Sequence, residues 1–369
     1  MRVLKGIKIR IYPNQEQEKQ IIQNIGNARF VYNQTLAKLQ DAYKNNQKIK
    51  LNDILKTLKK ENDWLKLSES TSLQQSQRDL FQAFQRFFKK QNKFPRFHSK
   101  HNSHQSYRIQ FVNNNIKIFK DEKLIKIPKI GYMKFAGNIY NEILKINNIT
   151  ISKTATDKYY ASINCEVDYT PITNEGCLIG IDVGLKEFYT DSNGNEVHNP
   201  KYLEKALKKL KRLQRQHSKK VKGSGKREKA RLRLAKQYEK VTNQRTDFLH
   251  KLTNALIKEN QLICIESLNI KGMLKNHKLA KAISSVSWSK FFSLLEYKCK
   301  LNNCQLIKVD TFYPSSKTCN NCGHINKNLA LNDREWVCPN CGTKIPRDYN
   351  AAKNILQKGK EMYYQKQIA

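Results

Sequence analysis

Four cysteines near the C-terminal end constrain this chain more than any other stretch. Cys319 and Cys322 form one C-x2-C pair, residues 323–337 intervene, and Cys338 and Cys341 form a second. Two such knuckles at this separation are a zinc-ribbon signature. Each turns two thiolates toward one point, and together they complete a tetrahedral four-sulfur shell. Gly323 and Gly342 directly follow the second cysteine of each pair, where a tight turn favours a residue without Cβ. Two disulfides would use the same residues, but the spacing rule speaks for the metal. The shell leaves no open position, so one structural Zn²⁺ is expected. Arg347-Asp348-Tyr349-Asn350-Ala351-Ala352 follows almost at once. The ribbon, residues 314–344, should therefore be an insertion that holds Asp348 against an earlier part of the chain.

The 369 residues leave room for two or three domains. Lys and Arg number 69 against 31 Asp and Glu, a formal net charge of +38. That excess is far beyond what solubility requires and points to a polyanionic partner. Part of it accompanies a general richness in Asn and Ile, but residues 212–215 and 227–233 concentrate arginine. No run of about eighteen apolar residues occurs. Met1-Arg2-Val3-Leu4-Lys5 lacks the apolar core of a signal peptide. Cys165, Cys177, Cys264, Cys299 and Cys304 lie outside the ribbon and cannot all pair. They read as buried thiols of a reducing cytoplasm. The expectation is a cytoplasmic, nucleoid-associated nucleic-acid binder with no membrane partner.

Taken in order, Ile7, Ile9 and Ile11 alternate with Lys8 and Arg10 as in a half-buried strand. Asn14 is a plausible N-cap for the helix that follows. Residues 14–94 read as a helical domain, with Leu73, Leu80, Phe84, Phe87 and Phe88 as a core stripe. Short strands are expected at 107–112, 116–119, 124–127, 143–152 and 159–167, separated by polar turns. Together with residues 1–13, the segment 95–170 reads as a small β-barrel. Leu178-Ile179-Gly180-Ile181-Asp182 is an apolar strand ending in a carboxylate, and Asn193-Gly194 signals a hairpin beyond it. Two helices split at Gly223-Ser224-Gly225 form a basic antiparallel hairpin. Leu262-Ile263-Cys264-Ile265-Glu266 repeats the strand-then-carboxylate pattern. A helix at 288–301 and a strand at 305–310 lead to the ribbon. Asp348 heads a last helix, and residues 359–369 read as a polar tail.

A strand meander, a helix, a strand and further αβ units form the layout of an RNase H-like fold, in which the ends of neighbouring central strands meet. Asp182, Glu266 and Asp348 would converge there and repel one another unless cations neutralised them. Two Mg²⁺ ions about 4 Å apart, with Mn²⁺ as a substitute, are the usual arrangement for phosphodiester cleavage. Hard oxygen ligands suit those ions rather than zinc. Asp310 also ends an apolar strand and is taken as structural.

Gly180-Ile181-Asp182-Val183-Gly184, Ile265-Glu266-Ser267-Leu268 and Arg347-Asp348-Tyr349-Asn350-Ala351-Ala352 resemble the three RuvC motifs of the TnpB proteins. Those are transposon-encoded relatives of the type V CRISPR nucleases. The resemblance extends through Asp247-Phe248-Leu249-His250-Lys251-Leu252, Pro314-Ser315-Ser316-Lys317-Thr318-Cys319 and, upstream, Phe94-Pro95-Arg96-Phe97. Pro346 stands where the family usually has Asp. The resemblance implies a multidomain α+β protein: a RuvC nuclease domain (177–313 and 345–358) with an inserted zinc ribbon, a wedge β-barrel (1–13 and 95–170) and a helical recognition domain (14–94). It implies an RNA-guided DNA endonuclease that binds a guide ωRNA and cuts double-stranded target DNA beside a short flanking motif; the sequence does not give the oligomeric state, and a monomeric ribonucleoprotein is the expectation. Guide pairing would read the target, and the protein would read backbone shape and the flank. The helical hairpin, with Arg212, Arg215 and Arg245, would line the guide–target heteroduplex. Gln74 and Asn113 would address base edges of the flank. A guide-dependent repressor would need the charge and the ribbon but no triad. A strand-joining transposase is also open to the fold, because fold does not fix function.

Overall fold

The computed structural model describes residues 1–47, 49–101, 105–140, 142–330 and 333–368. They fall into two compact units, Met1–Thr170 and Pro171–Ala369.

In the first unit, β1 (Arg2–Tyr12) points Ile9 and Ile11 inward, both nearly fully buried. Asn14 closes the following turn as a capping box: its side chain accepts from Gln17 N, and the Gln17 side chain accepts from Asn14 N. From there α1 (Gln15–Lys44) packs against α2 (Leu51–Glu61), a 3₁₀ turn (Asp63–Leu67) and α3 (Ser70–Phe88). Leu73 and Leu80 are buried as the stripe predicts, but Phe88 is 74% exposed. Phe88, at the end of α3, has ring contacts with Phe84 and Phe87.

Six strands follow: β2 (Gln105–Gln110), β3 (Lys117–Phe119), β4 (Leu124–Ile127), β5 (Gly131–Ala136), β6 (Ile143–Lys153) and β7 (Tyr159–Asp168). With β1 they form one sheet, ordered β2-β6-β7-β1-β5-β4-β3. The closure expected of a barrel is not seen: β2 and β3 end the order, and no ladder joins them among the described residues. Tyr107 and Ile109 of β2 and Ile118 of β3 nevertheless share one apolar cluster with the central strands. β5 lies outside the predicted strands, although Met133 and Phe135 alternate inward as a half-buried strand requires.

In the second unit, β8 (Cys177–Val183), β9 (Glu187–Asp191) and β10 (Glu196–His198) form an antiparallel meander. Gly194 takes the positive φ of its turn. The basic helices α4 (Tyr202–Ser218) and α5 (Gly225–Glu259) follow, with Ser224 capping α5 through Arg227 N. Next come β11 (Asn260–Glu266), the short α6 (Ile270–Met273), α7 (His277–Val286), α8 (Trp288–Leu301) and β12 (Gln305–Val309). The sheet order is β10-β9-β8-β11-β12, with β8, β11 and β12 mutually parallel. A hairpin of β13 (Glu335–Val337) and β14 (Lys344–Pro346) precedes α9 (Arg347–Ile368). The expected polar tail is therefore corrected to helix through residue 368, because Met362 and Tyr363 continue the stripe begun by Ile355 onto the sheet. Of the five remaining cysteines four are buried as expected, but Cys177 is exposed. Among the described residues no helix is long and apolar enough to cross a membrane.

One buried cation ties α8 to α5. The Lys298 ammonium donates to His250 O at 3.0 Å, Thr253 Oγ1 at 2.6 Å and Asn254 Oδ1 at 2.6 Å. Burial pulls its pKa down to about 8, yet each of its three protons has an acceptor. Lys298→Met keeps the aliphatic stem and removes those bonds, at an expected cost of about 2 kcal/mol. Thermal denaturation checks this, and an unchanged melting curve would show the bonds to be worth nothing net.

Candidate active site and metal centre

Side chains along a strand alternate between faces. On β8, Ile179 and Ile181 enter one apolar cluster, so Gly180 and Asp182 face the other way; on β11, Ile263 and Ile265 do the same, so Cys264 and Glu266 share that second face. In the parallel register Ile181 pairs with Ile265, so Asp182 and Glu266 lie side by side at the end of their strands.

Helix α9 lies directly on this face. A Cβ at Gly180 would come within 2.2 Å of Ala352 O and 2.7 Å of Leu356 N, and one at Gly359 within 2.2 Å of Cys264 Sγ. The two glycines allow helix and sheet to approach this closely. Four residues back along α9 from Ala352, roughly 6 Å, is Asp348. Two residues on along β8 from Gly180, also roughly 6 Å, is Asp182. The three carboxylates are thereby brought to one edge of the sheet. Their proximity appears in the charges. Burial first, then repulsion from Asp348 and Glu266, pushes the Asp182 carboxyl up to about 8, against an opposing pull from Arg347. Burial raises Glu266 to about 7. Arg334, which the sequence reasoning passed over, reaches Asp348 Oδ2 at 3.4 Å from the loop before β13. An exposed arginine in a basic chain gives no signal of such a role.

These shifts set a sign. Between ordinary carboxyl values of 3.8 and 4.5 and the raised values of about 8 and 7, the folded protein holds protons that the unfolded chain releases. Metal-free stability should therefore fall as pH rises through that window. A divalent cation should restore more of it at pH 8 than at pH 6. Melting temperatures at both pH values with and without Mg²⁺ check this, and a gain equal at both would contradict it.

The four ribbon thiols converge more tightly, all within 4.8 Å of one another. Cys319 Sγ is 3.7 Å from Cys341 Sγ and Cys322 Sγ is 3.6 Å from Cys338 Sγ. A tetrahedron with bonds of about 2.3 Å to zinc has edges of about 3.8 Å. Disulfide bonds of about 2.05 Å do not match. Gly323 and Gly342 take positive φ, and each donates its N–H to the first cysteine's carbonyl of its own knuckle. Asn321 Nδ2 approaches Cys341 Sγ and also donates to Thr343 Oγ1, and that hydroxyl donates to the same sulfur, an outer shell of the kind that holds a thiolate ligand in place. The donor set fits zinc.

Two buried asparagines on α9 clamp the first knuckle. Asn350 Nδ2 donates to Thr318 O at 2.7 Å, while Asn350 Oδ1 accepts from Asn320 N at 2.9 Å. Asn354 Nδ2 donates to Ser315 O at 2.8 Å and Thr318 O at 2.7 Å. Asn354 was not singled out from the sequence. Its position four residues after Asn350, on a face otherwise carrying Ala351 and Ile355, was the available signal. Cys338→Ser should release zinc and lower the melting temperature of the unit, because structural zinc binding is coupled to folding. Metal analysis and a melting curve test this, and full zinc content would refute it.

The remaining expected contacts are dispersed. Arg212 and Arg215 stand exposed on α4 beside Lys205, Lys208 and Lys219, one continuous basic face. Gln74 is exposed on α3, and Asn113 is exposed with positive φ in the turn after β2. Arg245 lies half-buried on α5, where its guanidinium donates to Ser284 O and Ser285 O in the last turn of α7.

A family profile described as "Probable transposase" (OrfB_IS605) matches residues 162–277, and a Cas12f1-like TNB domain profile matches residues 288–355. A third, described as a helix-turn-helix domain, matches residues 1–48, where the structure has one strand and one long helix. A Streptomyces pristinaespiralis protein named "Putative RNA-guided DNA endonuclease" is 36% identical over 97% of this chain and 90% of its own. An Escherichia coli K12 protein, InsQ, with the same description, is 31% identical over 97% of this chain and 93% of its own. Among solved structures, the Cas12f1–sgRNA–target DNA complex aligns over 96% of this chain and 98% of that one, with a TM-score of 0.57 at 14% identity, a likeness of fold. The chain belongs to the TnpB family of IS605-type OrfB proteins.

Proposed function

We propose that this protein is an RNA-guided DNA endonuclease that cuts target DNA by metal-assisted phosphodiester hydrolysis at Asp182, Glu266 and Asp348. The observation that carries the proposal is the meeting of those carboxylates at one sheet edge, with Asp182 raised to about 8 by burial and by its two neighbours. Three acidic side chains, each partly buried, form a set of hard oxygen donors that favours hard divalent cations, Mg²⁺ or Mn²⁺. Bound there, such cations would supply water activation and neutralise charge on the reacting phosphate. The chain's own contribution is to hold three ligands on rigid elements, with Arg334 near Asp348. The strand order β10-β9-β8-β11-β12 supports an RNase H-like core of the RuvC type.

Guide ωRNA and target DNA are the partners that fit the +38 charge, the exposed face of α4 and the relatives' descriptions. On this reading residues 14–94 serve recognition, and residues 1–13 with 95–170 serve as the wedge. Gln74 and Asn113 would then contact the flanking motif.

The test is to express the chain with its native flanking DNA, sequence the RNA that copurifies, and challenge the complex with plasmids carrying randomised target flanks. Depletion of one flank, abolished by EDTA, is the expected result. Specific RNA and target binding without depletion would favour a guided repressor. Joined DNA products would mean strand transfer, and no specific RNA would overturn the guided reading.

A further inference from the structure

Phe312 is 95% exposed, more than any other large apolar side chain among the described residues. It does not stand on a loose tip. Tyr313 N donates to Asp310 O at 3.1 Å and Ser315 N to Tyr313 O at 2.8 Å, closing a tight turn. Ser315 O accepts from the buried Asn354, and Tyr313 packs into the cluster of Leu262, Cys264, Ile307 and Ile355. With its neighbour anchored inward and the turn fixed from both sides, the phenyl ring is held out in water.

Its place in the fold says what it lies near. β12 ends at Val309, which pairs with Glu266, and Ser267 N donates to Val309 O at 2.8 Å. Because β8, β11 and β12 are parallel, the chain leaves β12 at the same sheet edge at which Asp182 and Glu266 stand. A phenyl ring cannot bind phosphate. It can stack on a base, and it does so whatever the base, since every base has a π-face. In a duplex those faces are covered by neighbouring bases, so the complementary ligand is an unpaired nucleotide.

We propose that Phe312 is a base-stacking residue that holds an unpaired nucleotide of the DNA strand being cut, beside the carboxylate cluster. This rests on the nuclease reading above and adds to it a positioning contact that is indifferent to sequence. The carboxylates repel a bare phosphate backbone, so a neutral contact next to them places the strand without adding charge that would compete for cations.

The test uses the full chain with its guide RNA. Target DNAs carry 2-aminopurine at successive positions of each strand around the cut, and fluorescence is read with Ca²⁺ in place of Mg²⁺. Stacking quenches the probe. The expected result is quenching at one or two adjacent positions, kept in Phe312→Trp and lost in Phe312→Leu and Phe312→Ala. In Mg²⁺, Phe312→Ala should lower kcat/KM by about 5- to 150-fold, the range for losing one stacked base, with guided target binding and the melting curve unchanged. Wild-type quenching and cleavage in Phe312→Ala would overturn the proposal. So would lost cleavage with quenching intact, or a lowered melting curve in both Phe312→Ala and Phe312→Leu, because the ring would then serve the fold or a protein contact. If the wild-type complex cuts nothing, the nuclease reading fails by itself, and the fluorescence still decides whether Phe312 stacks.

Discussion

Replacing Asp182 by alanine is expected to abolish DNA cutting, by at least about a thousand-fold, because several kcal/mol of metal-derived transition-state stabilisation would be lost with the ligand. Asp182 is the member of the set that feels both others, so on the proposed reading its removal would both deprive the cations of a ligand and relax the repulsion that favours them. Two results should follow together. Cleavage disappears, while RNA copurification and guided target binding persist, since the basic surface of α4 is untouched. The metal-free variant should also lose most of the fall in stability between pH 4 and pH 8. Cutting at an undiminished rate would remove Asp182 from the active site. Lost cutting with lost RNA binding would point to misfolding instead.

The second large effect is mechanical. At Gly180 the atoms in the way of a Cβ are backbone, Ala352 O and Leu356 N, and no rotamer change can clear them. Gly180→Val must therefore lift α9 from the sheet. We expect a loss of about 3 kcal/mol or more, a melting temperature lower by about 10 °C, and no cleavage, because Asp348 moves with the helix. At Gly359 the nearest atom is instead the Sγ of Cys264. Gly359→Ala should also be damaging, but Cys264→Ala in the same chain should recover part of the loss, a coupling that a double-mutant cycle measures. Near-wild-type stability in Gly180→Val would mean that the helix does not sit as closely as the structure places it.

What could be read in advance divides along physical lines. Strands whose β-branched residues alternate or run together, such as residues 7–11 and 262–265, are visible because their period is local. Asp182 and Glu266 are visible because each ends such a run. Gly359 is not: it lies in Gln357-Lys358-Gly359-Lys360, which reads as tail, and its meaning depends on Cys264 nearly a hundred positions away. Met362 and Tyr363 are hidden for the same reason, being apolar residues in a polar stretch whose partner surface belongs to β11 and β12. The barrel expectation misses β5 and the closure: no ladder joins β2 to β3 among the described residues, and nothing in a strand's own sequence says whether it has one neighbour or two. The contacts of Arg245 with Ser284 O and Ser285 O are hidden too, because an arginine that caps a neighbouring helix looks, in one dimension, like any other arginine of a basic chain.

The clamp of Asn350 and Asn354 on the first knuckle joins two sites: it grips backbone groups beside the thiolate shell, and it belongs to the same helix as Asp348, Asn350 within the same turn. If the ribbon binds zinc and the carboxylates bind a divalent cation, as proposed above, occupancy of one site would bias the affinity of the other, and linkage would make the influence equal in both directions. Zinc, which never meets a phosphate, would then act as an allosteric effector of the cation that does.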